Sequence, residues 1–250
     1  MGYVYECNAL NGTPVVTSAP WLDTTNETWD STSKVAVTGT NAFSGQFDES
    51  SDGTTRTISG DAEPISPVTA GTFPITPADS AAYQYDHNPN SIDAHSYSIE
   101  VPANPTAATS PGCTSGGPVG IAMDGAMIYN AFDAAGNDAV AREIQDACHG
   151  HPDSSDVYHY HGWLQACVTD GGSSTQNSNL LGYALDGYGI YGPWYNGKIL
   201  TSADLDECHG TTSEVMWDGK LTNIYHYVST YDFPYTVACY HGTHVSIGVP

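Results

Sequence analysis

Residues 122–129 read Ala-Met-Asp-Gly-Ala-Met-Ile-Tyr, and residues 184–191 read Ala-Leu-Asp-Gly-Tyr-Gly-Ile-Tyr. Each copy places an Asp-Gly pair between short apolar runs, a pattern that favours a β-hairpin with a two-residue type I′ turn. In the first copy such a turn pairs Met123 with Ala126 and Ile121 with Ile128. The two stretches therefore predict two equivalent hairpins in which Asp124 and Asp186 are turn residues.

The correspondence continues beyond the hairpins. Three further features recur in the same order: Asp-x-Cys-His-Gly at 146–150 and 206–210, Tyr-His-Tyr at 158–160 and 225–227, and a closing cysteine at Cys167 and Cys239. We interpret the second half of the chain as a duplicated unit with pseudo-twofold pairing, covering approximately 118–167 and 181–240. A solenoid would need three or more copies.

The rest of the chain indicates short strands between turns. Residues 55–58 and 97–101 have strand character, and Pro and Gly separate such segments throughout the first half. Helix is predicted at 138–147, capped by Asn137 or Asp138, and a second short helix is predicted to begin at Thr201. No segment has the composition of a linker. The prediction for 1–250 is one mainly β domain: a single antiparallel β domain with one or two short helices and an internally duplicated second half.

Composition excludes two classes of partner. The chain has five Lys and Arg residues and 28 Asp and Glu residues, which give a formal net charge of −23. Phosphate backbones repel so anionic a chain, which excludes nucleic acid, and no apolar stretch approaches the ~20 residues of a membrane span. Divalent cations are the natural counter-partners. Six cysteines in a chain rich in Thr, Ser, Gly, Asn and Tyr favour disulfides and an extracellular, cell-surface or virion-surface location.

Histidine is concentrated in residues 149–161, where two His-x-His pairs flank a Pro-Asp-Ser-Ser-Asp loop. Residues i and i+2 of a strand share a face, so each pair directs its two rings to the same side. A hairpin symmetric about Ser155 would set His151 opposite His159 and His149 opposite His161. All four imidazoles would then line one face of the hairpin.

Clustered imidazoles are typical ligands of transition metals. We predict a metal site at His151, His159 and His161, with His226 supplied by the duplicated unit and with His149 and His209 as further candidates. Copper or zinc is favoured over calcium, for which the sequence contains no recognisable loop. The alternative is an aromatic core in which Tyr and His side chains satisfy one another.

At Tyr158-His159-Tyr160-His161 the sequence resembles the YHYH-domain family, which is named for this motif. Other matching stretches are residues 88–92, 97–102, 118–122, 146–148, 181–192, 205–208, 225–227 and 232–235. His151, His159 and His161 fit the family pattern, whereas His149 stands where the family more often has Gly. The resemblance implies kinship with secreted and surface proteins of bacteria and with structural proteins of marine phages, and it implies no particular reaction.

The residues themselves, rather than the resemblance, predict the disulfide pairs. Cys148 with Cys167 and Cys208 with Cys239 are the corresponding pairs of the two units. Cys7 and Cys113 are then left to pair with each other.

Three functional hypotheses follow. The first is an extracellular, disulfide-stabilised β protein whose histidine cluster binds a divalent or transition metal ion. The second is a structural or adhesive subunit of a virion, fibre or extracellular filament, with its own copies or other surface or virion proteins as partners. The third is a metal-dependent hydrolase or oxidase in which Asp153, Asp156 or a Tyr assists. No nucleophile elbow, phosphate loop, His-Glu-x-x-His or dinucleotide motif is present, so the sequence assigns no catalytic residue and favours a non-enzymatic role.

Overall fold

The structure is a computed structural model in which residues 3–248 are described. Helix is confined to α1 (Ser80–Tyr83), α2 (Ala139–Arg142) and two 3-10 turns at Leu164–Ala166 and Ser202–Asp204 within those residues. The strands are β1 (Leu22–Asp23), β2 (Thr28–Trp29), β3 (Asn41–Ala42), β4 (Phe47–Ser51), β5 (Thr55–Gly60), β6 (Thr69–Ala70), β7 (Tyr97–Pro102), β8 (Ala107–Gly112), β9 (Pro118–Ala122), β10 (Met127–Tyr129), β11 (Gly150–Pro152), β12 (Tyr158–Tyr160), β13 (Leu180–Ala184), β14 (Gly189–Tyr191), β15 (Trp194–Tyr195), β16 (Lys198–Ile199), β17 (Gly210–Trp217), β18 (Lys220–Val228) and β19 (Tyr240–Gly242). The mainly β prediction is confirmed. No helix of this described part is long and apolar enough to cross a bilayer.

One eight-stranded sheet organises the second half of the chain, in the order β11-β12-β10-β9-β13-β14-β18-β17. Most neighbours are antiparallel, but β10 with β12 and β14 with β18 are parallel pairs. A second sheet, β4-β5-β7, contributes to the same hydrophobic core, where Ile58 and Ile99 lie with Ile121 and Met127. Buried and exposed residues alternate along β7, and this alternation is the pattern that predicted a strand there from the sequence.

The two units repeat the same contacts about a local twofold. Strands β9 and β13 are antiparallel neighbours at the centre of the sheet, with Ile121 opposite Tyr183, which are equivalent positions of the two copies. Tyr160 Oη donates a hydrogen bond to Asp124 Oδ2 at 2.7 Å, and Tyr227 Oη donates one to Asp186 Oδ2 at 2.6 Å. The Tyr-His-Tyr strands therefore join each Asp-Gly hairpin through a buried hydroxyl-to-carboxylate bond.

The Asp-Gly turns are one residue longer than predicted. Ile121 pairs with Met127 rather than with Ile128, and Gly125 has a φ of 94° whereas Asp124 is not among the positive-φ residues. A type I′ turn needs positive φ at both central residues, so this is instead a longer turn with glycine alone in the left-handed region. Gly187 repeats it with a φ of 89°. The carboxylate of Asp124 accepts a hydrogen bond from the Ala126 amide, which stabilises the turn.

The helix predicted at 138–147 is much shorter. Asp138 is its N-cap, since its side chain accepts a hydrogen bond from the amide of Ala141, but the helix ends at Arg142. Glu143 is extended, with φ −103° and ψ 144°. The predicted helix beginning at Thr201 is present as a single 3-10 turn with a capping box.

All six cysteines are paired, as Cys7–Cys113, Cys148–Cys167 and Cys208–Cys239. These are the pairs predicted from the sequence. The two later bonds occupy corresponding positions in the two units, and the first ties the N-terminal segment to the residues that follow β8.

Candidate metal centre

The hairpin of β11 and β12 brings two predicted ligands face to face. His151 on β11 is the register partner of His159 on β12, as the symmetric hairpin predicted. Asp153 stabilises the connecting turn, because its Oδ1 accepts hydrogen bonds from the amides of Ser155 and Val157. His161 follows β12 by one residue and shares the face of His159. The ligand nitrogens of His151, His159 and His161 all lie within 4.8 Å of one another, and all three side chains are buried.

The hydrogen bonds of two of these rings determine which nitrogen is protonated. His159 Nδ1 contacts the carbonyl oxygen of Val157 at 3.0 Å, and His161 Nδ1 contacts that of Asn130 at 2.5 Å. A carbonyl oxygen only accepts, so Nδ1–H is the donor in both rings and a neutral ring has its lone pair on Nε2. The two Nε2 atoms lie 3.1 Å apart. Such bonds from the opposite ring nitrogen are the usual means of orienting metal-bound histidines.

Glu143 completes the cluster. Its Oε2 lies 3.1 Å from His161 Nε2 and 3.2 Å from His151 Nε2. Neither nitrogen of His151 has an aligned hydrogen-bond partner, although both are buried. A buried imidazole without a partner carries a desolvation cost that a bound cation would offset.

Sequence reasoning missed Glu143. The carboxylate reaches the cluster because α2 stops at Arg142 and the next residue is extended. The available signal was its position three residues after Val140, on the face expected to be buried, where an acid needs a partner.

The charges of the cluster are coupled. Burial would raise the pKa of Glu143, but His151 and His161 hold it well below its usual value. Burial would lower the pKa of His161, yet the neighbouring carboxylate of Glu143 raises it. Burial, helped by His151 and His161, holds the pKa of His159 well below its usual value. Charged His161 and ionised Glu143 therefore stabilise each other, whereas the surroundings of His159 favour its neutral form.

Tyr129, at the end of β10, supports the ligand hairpin from the side. Its ring stacks on that of His159, with centroids 3.9 Å apart and planes 21° apart. Its hydroxyl donates a hydrogen bond to Asp153 Oδ2 at 2.7 Å. Asp153 thereby links the hairpin turn to Tyr129, whose ring stacks on His159. The other candidate acid, Asp156, accepts a hydrogen bond at Oδ1 from the amide of Ser91. Both acids proposed from the sequence as assisting groups have structural partners.

A cavity of 510 Å³ opens over the three imidazoles. Its walls include the apolar side chains of Leu10, Val15 and Phe132 and the carboxylates of Asp86 and Glu143. The cluster is therefore buried within the protein but faces a space large enough for a small molecule.

His149 does not share the face of the other three histidines, contrary to the four-histidine prediction. Its φ is 61°, a left-handed conformation that breaks strand alternation, and its ring packs edge-on against Trp163 at 4.5 Å. Its counterpart His209 has a φ of 71° and contacts Thr230 Oγ1 through Nε2 at 2.9 Å. Left-handed backbone favours glycine at both positions, in keeping with the family pattern at residue 149.

His226 also lies outside the cluster, which corrects its predicted role as a fourth ligand. It is on β18, five strand positions from β12 in the sheet, a separation of about 24 Å at ~4.8 Å per strand. Its Nδ1 contacts the carbonyl oxygen of Ile224, as His159 contacts that of Val157. Its register partner on β17 is Thr211, whereas the register partner of His159 in the first unit is His151. The second unit thus retains one histidine of the site without the rest of the donor set.

The arrangement suits a transition metal ion. Two imidazole nitrogens bound to one ion at about 2.1 Å stand roughly 3.0–3.4 Å apart, close to the 3.1 Å between the Nε2 atoms of His159 and His161. Glu143 offers a carboxylate oxygen beside the imidazoles, and the cavity leaves room for a further ligand. Three histidines with an open position are a donor set found in zinc and copper sites.

Comparison with known proteins bears on this same region. Residues 98–199 match the family model described as YHYH protein. This part of the chain is similar to YHYH proteins. This confirms the resemblance read from the sequence, and the matched segment includes all three clustered histidines, Glu143 and Tyr129. No curated protein and no solved structure matches the chain.

Proposed function

We propose that this protein binds one transition metal ion, zinc or copper, through Nε2 of His159, Nε2 of His161 and a ring nitrogen of His151. The observation that carries the proposal is the orientation of two rings. Each donates its Nδ1–H to a carbonyl oxygen, so that both Nε2 atoms, 3.1 Å apart, point to one place, where a metal ion can replace the proton of His161. Lone pairs that converge in this way repel unless a proton or a metal ion lies between them.

The same contacts argue against an ordinary structural core. A core histidine normally has at least one hydrogen-bond partner, as His209 and His226 illustrate through their bonds to Thr230 and Ile224. His151 has none that is aligned. Nitrogen donors also favour zinc and copper over calcium, which prefers oxygen ligands.

We further propose that the protein acts outside the cell or at a cell or virion surface. Three disulfides support this location, since reducing cytosol disfavours them. Alkylation of free thiols in protein taken from its native host tests it: six cysteines protected until reductant is added support the proposal, and six reactive thiols contradict it.

Equilibrium dialysis of chelator-stripped protein against Zn²⁺ or Cu²⁺ tests the metal site. We expect one ion per chain, and His159→Ala is expected to lower the affinity by at least 100-fold because it removes one of three nitrogen ligands. His226→Ala is the matched control, a buried histidine at the corresponding position of the second unit. It is expected to retain one ion per chain. Absence of bound metal in the wild type, or equal loss in both variants, contradicts the proposal.

A further inference from the structure

The cavity over the histidine cluster has an unusual charge balance. Four carboxylates line it, from Asp86, Asp133, Glu143 and Asp153, and none of the described residues that line it is Lys or Arg. Four negative charges outnumber the two of a divalent ion, so the space remains electronegative with the metal bound. The chain as a whole, at −23, adds to the same field.

Asp86 differs from the other acids of the cavity. Asp133 accepts hydrogen bonds from Asn137, Asp153 accepts one from Tyr129, and Glu143 faces two imidazoles. Asp86 is partly buried, and burial raises the pKa of its carboxyl; nearby His151 lowers this pKa and Glu143 raises it. Its carboxylate has no side-chain donor among the hydrogen bonds of the described residues; the backbone amides of Asn88 and Ile144 lie beside it, and the remaining lone pairs of its two oxygens are open to a ligand from the cavity.

The cavity also offers apolar surface beside these acids. Leu10 and Val15, from the N-terminal segment, and Phe132 form part of its wall. A ligand that fits this cavity places a hydrocarbon portion against these side chains and a neutral or positively charged group near the carboxylates.

We propose that the cavity binds a small organic cation, a primary amine with a hydrocarbon portion, whose ammonium group pairs with Asp86, and that it rejects carboxylates and phosphates. This inference rests on the proposed metal centre for the identity of the site and adds the chemical class of its ligand. Buried His151, which has no aligned hydrogen-bond partner, and the adjoining cavity of 510 Å³ distinguish this place from the acidic surface elsewhere.

Calorimetric titration at pH 7 with three probes of similar size tests the inference: benzylamine, benzyl alcohol and benzoate. Each is titrated into metal-free and zinc-loaded protein. We expect benzylamine to bind at least tenfold more tightly than benzoate in both forms. Benzoate binding as tightly as benzylamine, or no binding of benzylamine at all, overturns the inference.

Variants separate a specific contact from general attraction to an acidic protein. Asp86→Asn is expected to weaken benzylamine binding about tenfold, Asp86→Glu to retain most of it, and the exposed control Asp48→Asn to leave it unchanged. Equal weakening by Asp86→Asn and Asp48→Asn overturns the inference. Zinc stoichiometry is measured separately. A preference for benzylamine over benzoate without zinc binding supports the proposed ligand class and contradicts the metal centre. Zinc binding without that preference supports the metal centre and overturns the ligand class.

Discussion

Nε2 of His159 and Nε2 of His161 lie 3.1 Å apart, and the Nδ1 atom of each ring contacts a backbone carbonyl oxygen. The two residues are separated by Tyr160, whose hydroxyl bonds to Asp124 on the opposite side of the strand. The alternation of Tyr and His thus assigns one face of β12 to the metal centre and the other to the core.

Zinc affinity should fall as the pH decreases through neutrality. The proton that the metal ion displaces lies at His161, where burial would lower the pKa but Glu143 raises it above the ordinary 6.5. Each displaced proton weakens binding by up to about tenfold per pH unit below that pKa. Competition with a chelator of known affinity from pH 5.5 to 8 measures the slope. A pH-independent affinity would contradict this assignment.

Glu143→Gln should weaken zinc binding by about 10–100-fold, because it removes a carboxylate adjacent to two ligand nitrogens. It should also move the pH dependence to lower pH, since His161 loses the neighbour that raises its pKa. Glu207→Gln, at an exposed position, is the control and should change neither property. An unaltered pH profile in Glu143→Gln would show that the carboxylate does not act on His161.

Tyr160→Phe should separate the tyrosines of the motif from its histidines. Loss of the hydroxyl leaves the buried carboxylate of Asp124 without that donor, which should lower the free energy of unfolding by about 1–3 kcal/mol. Zinc stoichiometry should remain one per chain. Tyr231→Phe, at a side chain 47% exposed, should alter stability by less than about 0.5 kcal/mol. Chemical denaturation and dialysis provide the two measurements, and a loss of zinc in Tyr160→Phe would refute the division of roles.

His209 should make the fold sensitive to mild acid. Burial, opposed by the charge of Asp232, lowers its pKa from 6.5 to about 4. Because the unfolded chain takes up the proton first, the stability associated with neutral His209 is complete above pH 6.5 and is lost as the pH falls towards 4. The loss is about 3 kcal/mol at ~1.4 kcal/mol per pKa unit.

Urea unfolding of the wild type and of His209→Asn at pH 7 and pH 4.5 measures this contribution. Asn tolerates the left-handed backbone at this position, and the variant should lose less stability between the two pH values than the wild type. Equal losses would mean that His209 is not the group that titrates.

Much of the site was predictable because its signals are local. Alternation along a strand places His159 and His161 on one face whatever the strand pairs with, and the short loop sets His151 opposite His159. Two disulfide pairs followed from the duplication, because equivalent cysteines of two copies form equivalent bonds, and Cys7–Cys113 followed by elimination.

Other features depended on packing that no local pattern encodes. The helix signal after Asp138 continued to residue 147, but the chain leaves the helix at Glu143, where the buried carboxylate meets two imidazoles. The Asp-Gly turns are one residue longer than the expected type I′ turn. In the observed turn glycine alone is left-handed, and the Asp carboxylate accepts a hydrogen bond from a backbone amide of the turn.

The amino-acid sequence by itself determined the β class, the duplication, the disulfide pairs and the core of the histidine cluster, since each follows from local residue patterns and from the comparison of the two units. Only the tertiary structure decided that Glu143 joins this cluster, that His149 turns away from it and that His226 belongs to the far side of the sheet. Strand order and helix termination cause these differences, and both result from the packing of distant segments. The cavity over the imidazoles has the same origin, because its walls come from six separate stretches of the chain between Leu10 and His161.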